Sequence, residues 1–107
     1  MSKPITDWSE EALADLPGAE LVLPGLRDVR EPGLTECGLL VLIAAPRLRR
    51  LGLEVPERPD IRRPYEHRLY ELLEETHGDG AYSRYNSLLR RLTSFSSALE
   101  LRLKSGG

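Results

Sequence analysis

From Gly38 to Ala45 the chain carries eight residues without a polar side chain, and it then turns at once to Pro46-Arg-Leu-Arg-Arg-Leu-Gly52. A segment that is apolar all round is buried on nearly every face, whereas the basic heptapeptide after it returns to water. The centre of the fold is therefore expected at residues 38–45. Thr35 is placed to cap a helix there, with Glu36 in the first turn and Leu34 and Leu39 at the two positions of a hydrophobic staple. Pro46 lacks an N–H and its ring meets the carbonyl of Leu42, so it ends or kinks the helix. Proline also suits a first helical position, which predicts a second short helix up to Leu51. Arg49 and Arg50 lie near its negative end and Gly52 just past it.

The second half has a cleaner period. Leu69, Leu72, Leu73 and Thr76 share one face of a helix starting near Tyr65, which Gly78-Asp79-Gly80 ends. The last helix is expected from about Ala81 to Lys104, with Tyr85, Leu88, Leu89, Leu92, Phe95, Ser96, Leu99 and Leu103 on its apolar stripe, running on to Leu101. The two make a hairpin through a short loop. The stripe covers about six turns, roughly 36 Å, and a three-turn partner helix covers only half of it. The remainder calls for the N-terminal half or a second copy of the chain, and a two-fold dimer through Tyr85, Leu92, Phe95, Leu99 and Leu103 is the first expectation.

The first third is more broken. A helix from about Ser9 to Leu16 follows from the capping-box spacing of Asp7 and Glu10, with Ser9 as an alternative cap and Trp8 and Leu13 as a staple. Pro17-Gly18 stops it. Leu21, Val22, Leu23, Leu26 and Val29 suggest a turn of helix, a break at Pro24-Gly25 and a second short helix over about 26–30, with a strand at 20–23 as the alternative. Residues 1–7 read as a loose end and 105–107 as a tail. Prolines 56, 59 and 64 make 54–64 a stiff connector. Leucine dominates the apolar residues, while Phe, Trp and Met occur once each, which favours helix over strand. The expected fold is one all-α domain over 1–107: a small helical bundle with a kinked apolar central helix and a C-terminal α-hairpin.

Charge changes this picture only locally. The net charge is −2, which favours no polyanionic partner, but residues 1–36 carry a net −5 and residues 37–70 a net +3. Such segments pair within the chain or between copies, or are ordinary solvated surface. The single cysteine, Cys37, excludes an internal disulfide and any CxxC site, and fits a reducing, cytoplasmic setting as a buried inert thiol. No apolar run approaches the roughly 18 residues that span a bilayer, so no membrane partner is expected.

All four tyrosines and both histidines lie between residues 65 and 85. One reading is a ligand or enzymatic site in which Asp79 orients His77 as a base while Tyr82 and Arg84 bind an anion. The simpler reading is capping: Gly78 ends one helix, His77 favours its C-terminus and Asp79 starts the next. The tyrosines then sit at the rim of an interface, ring buried and hydroxyl wet. Arg47, Arg49, Arg50, Arg62 and Arg63, with Arg58 and Arg68, offer a nucleic-acid alternative, against which stand the interleaved Glu54, Glu57, Asp60 and Glu66. No metal-ligand spacing, phosphate loop or nucleophile motif is present, so no metal, cofactor or catalytic residue is expected. The function expected from the sequence is a small cytoplasmic interaction or regulatory subunit acting through a helical surface, self-associating or bound to another protein.

Overall fold

Thr35 starts the central helix as its position predicts. Its hydroxyl accepts the Gly38 N–H at 3.0 Å and donates to Asp28 at 2.9 Å, closing the start of one helix on the end of the preceding one. The computed structural model describes residues 10–33 and 35–106. Their order is α1 (Glu10–Leu13), α2 (Ala19–Asp28), α3 (Glu36–Ile43), α4 (Ala45–Arg50), α5 (Tyr65–His77), a 3-10 turn at Gly78–Gly80, and α6 (Ala81–Gly106). No strand occurs among the described residues. The chain is an all-α bundle.

Helix α3 is the hub. Leu39, Leu40, Val41 and Leu42 are buried, and α3 packs on α2, α5 and α6. The helix breaks at Ala44, and Pro46 opens α4. Gly52 follows with a φ of 102°. Leu53 N–H reaches back to Leu48 at 2.9 Å and Gly52 N–H to Arg49 at 3.1 Å, the paired closure that a left-handed residue makes possible. Buried Leu48 and Leu53 flank it. The kinked central element is therefore as expected.

Helix α2 departs from expectation. It runs unbroken through Pro24, and neither the break nor the strand alternative occurs. Proline at that position costs a backbone bond, but Leu21, Val22, Gly25 and Val29 are buried against the core. Tertiary burial outweighs the local breaker. Helix α1 is shorter than expected, ending at Leu13. Asp7, Trp8, Ser9 and Leu34, which carry the expected caps and staples, lie outside the described residues.

The hairpin of α5 and α6 is present, joined by the 3-10 turn. Leu69 and Leu73 are buried and Leu72 half-buried. Thr76, placed by period on the apolar face, is exposed and donates its hydroxyl to the Leu72 carbonyl at 3.1 Å. Along α6, Leu88, Leu92, Phe95, Ser96 and Leu99 are buried, and Tyr85, Leu89 and Leu103 are half-buried against the core. Leu101 leaves the stripe: it is 66% exposed, because two residues past Leu99 it lies about 200° round the helix. At 26 residues α6 is about 39 Å long, against a longest extent of 47 Å for the described residues.

The N-terminal half covers the rest of α6. Gly18 lies against the Arg91 backbone and Phe95, Glu20 pairs with Arg91, and Arg102 donates to Asp15 at 3.1 Å and to the Ala12 carbonyl. On the other flank Arg47 of α4 bonds Glu100 at 2.7 Å. Leu92, Phe95 and Leu99 are thus buried inside one chain, which corrects the expectation that they form a dimer interface. The acidic first third pairs chiefly with α6 arginines rather than with the basic middle. No described helix is long and apolar enough to cross a membrane.

Candidate functional site

The residues singled out around the hairpin loop do not assemble into one site. Glu36, in the first turn of α3, receives His77 Nε2 and Arg84 Nη2, each at 3.4 Å. These contacts tie the start of α3 to the end of α5 and the beginning of α6. Asp79 sits exposed in the 3-10 turn and makes no side-chain hydrogen bond among the described residues, so it does not orient His77. Tyr82 belongs to another face. The His77, Asp79, Tyr82 and Arg84 constellation is corrected to a contact of His77 and Arg84 with Glu36, an exposed aspartate and a separate tyrosine. Cys37, next to Glu36, is half-buried; burial, then the charges of Asp28 and Glu36, push its thiol up from its ordinary value. A thiol held protonated in this way is a poor nucleophile. Among the described residues no cluster of three metal-ligating side chains occurs.

Most of the basic run is engaged in contacts within the chain. Arg47 is taken by Glu100. Arg49 donates Nε to the Val55 carbonyl at 2.9 Å and Nη2 to Pro56 at 3.4 Å, pinning the connector to α4. Arg58 donates to the Val29 and Glu31 carbonyls at 3.0 and 2.9 Å and to Asp60 at 2.7 Å. Arg63 lies over the Tyr65 ring, 5.7 Å from its centroid. Arg49, Arg50, Arg62 and Arg63 are exposed, interleaved with exposed Glu54, Glu57 and Asp60.

What the structure does bring together is the tyrosines. Tyr70 of α5 and Tyr85 of α6 meet edge to face, centroids 5.5 Å apart. With Tyr82, His67, Pro64 and Glu66 they line a groove of about 520 Å³ along the seam of the hairpin. Tyr82 stands at its edge, 67% exposed. Burial, then the Glu66 charge, raise the Tyr85 hydroxyl above its ordinary value, so the phenol stays a neutral donor. His67 is held by Glu71 one turn on, at 3.4 Å. A second cleft, about 580 Å³, opens where α3 breaks into α4; Leu42, Ile43 and Pro46 face Tyr65, Glu57 and Arg63 across it.

The clustering of tyrosines was visible in the sequence, but not their division, since Tyr65 faces the second cleft. The cleft at the break was missed. Its one signal was Pro46, which fixes where the apolar helix must open. No protein-family model, curated protein or solved structure matches the chain, so the functional reading rests on this geometry.

Proposed function

We propose that the protein is a small helical interaction module, working in the cytoplasm, that receives a protein partner on the α5–α6 seam. The observation that carries this reading is the groove of Tyr70, Tyr82 and Tyr85 with Tyr82 67% exposed. Tyrosine is enriched at interface cores, where it supplies area and a polar tip at low entropic cost. Interaction energy concentrates in such aromatic clusters. The cytoplasmic setting is supported by a single, non-disulfide cysteine.

A homodimer through α6 loses its support, because Leu92, Phe95 and Leu99 are already buried. What stays open there is Leu101 and part of Leu103, far below the roughly 800 Å² per partner of a stable interface.

The test is a benzophenone side chain placed at position 82 in living cells. One discrete protein adduct is expected, with none from the same group at exposed position 31. An adduct of twice the chain mass identifies a second copy as the partner. No adduct from position 82, or the same pattern from both positions, would sink the reading.

A further inference from the structure

We propose that the tyrosine groove and the cleft at the α3–α4 break form one site for a peptide segment of the partner, with a cation of that segment seated on Glu66 between two apolar contacts. The proposal rests on the reading of the groove as the docking face. Its own ground is that the two hollows are not independent: Pro64 and Glu66, at the start of α5, line both. One hollow offers aromatic rings on its far side, the other Leu42, Ile43 and Pro46. Neither is an enclosed cavity, which suits a chain laid across them better than a buried small molecule.

Charge decides what crosses the shared wall. Glu66 is exposed and makes no ion pair among the described residues, and the same holds for Glu57 across the second cleft. Of the basic neighbours, Arg49 donates to two carbonyls, Arg63 lies over the face of Tyr65 and His67 stands against Glu71, so none of them pairs with Glu66. Glu66 is the one charged side chain that lines both hollows. A segment passing over Glu66 is therefore favoured if it brings Lys or Arg to that point and disfavoured if it brings Asp or Glu. The occupant is therefore a segment of a different protein, basic and apolar rather than acidic.

The experiment pans a phage-displayed library of random dodecapeptides on the wild-type 107-residue protein alone. Selected peptides are expected to share a Lys or Arg flanked on both sides by apolar residues. Their affinity, read by fluorescence polarisation, should fall about tenfold or more on Glu66→Lys and stay near wild type on Glu31→Lys, a charge reversal at an exposed position away from both hollows. Circular dichroism establishes that both variants keep their helix content. Amide shifts on peptide addition should appear at Ile43 and Glu57 as well as at Tyr82 and Tyr85. Shifts confined to the tyrosine side, with Glu66→Lys neutral, would overturn the joined site and leave the groove reading standing. Shifts on neither side, or binders that lack a basic residue, would overturn the proposal, and the former would take the groove reading with it.

Discussion

At Gly25 the backbone of α2 lies so close to α3 that a β-carbon would run into the Cys37 carbonyl and the Val41 side chain. The pair Pro24-Gly25 reads in sequence as a helix breaker, because both residues disfavour a helix interior. In the fold the glycine serves close approach, and the approach is what holds α2 helical through the proline. No local period reveals this, since it depends on which helix lies opposite. Thr35 is the contrary case: its capping role is written entirely in its own neighbourhood and is read correctly. Gly25→Ala should therefore destabilise the protein by about 1–3 kcal/mol, the usual cost of overpacking a filled interior. Gly33, with open space around its β-position, is the matched control, and Gly33→Ala should be neutral or slightly stabilising. Chemical denaturation measures both. Equal midpoints for the two variants would show that the α2–α3 approach is not tight.

Among the elements, α6 shows how a sequence stripe is half of a message. Its apolar positions are legible from gaps of three and four, and the arginines beside them carry the other half. Arg84, Arg91 and Arg102 are seven and eleven residues apart, close to two and three full turns, and so lie on one edge of the helix. They meet Glu36, Glu20 and Asp15 in turn. That register of cations, set against an acidic first third, is the signal that the N-terminal half and not another copy covers the stripe. The connector conceals a similar role. Read as a stiff spacer with scattered charge, it is anchored by Arg58, whose guanidinium takes the Val29 and Glu31 carbonyls just after α2 and whose side chain is only 13% exposed. Without it those carbonyls lose a charged donor. Arg58→Ala should lower the melting temperature clearly more than Arg62→Ala, which removes an exposed arginine from the same segment. Identical melting curves would mean that the connector is held without Arg58, by Arg49 and by the burial of Leu53 and Val55.

For the molecule as a whole, the ion pairs on its flanks predict its behaviour in acid. Arg102 holds Asp15, Arg58 holds Asp60 and Arg47 holds Glu100 below their ordinary values of 3.8, 3.8 and 4.5. A carboxyl group whose folded value is depressed binds fewer protons folded than unfolded. Its stabilisation is present above the ordinary value and is lost as pH falls through the folded one. The melting temperature should stay flat from about pH 7 to 5, then fall below about 4.5, less steeply in high salt because these groups are exposed and screened. A melting temperature that rises on acidification would contradict the pairing. The same covering of α6 fixes the outcome at Leu99. The expectation of a dimer came from measuring the stripe against α5 alone, and a one-dimensional pattern does not state which distant segment returns to cover a face. Leu99 is fully buried within one chain. Leu99→Glu therefore places a carboxylate without a partner in the core, at a cost of several kcal/mol against a total stability of about 5–15 kcal/mol. Wild type should sediment at micromolar concentration as a monomer of 12.0 kDa, and the variant should lose its cooperative melt rather than change its association. A wild-type dimer that Leu99→Glu converts to a folded, cooperatively melting monomer would show that α6 pairs between copies and that the N-terminal helices do not cover it.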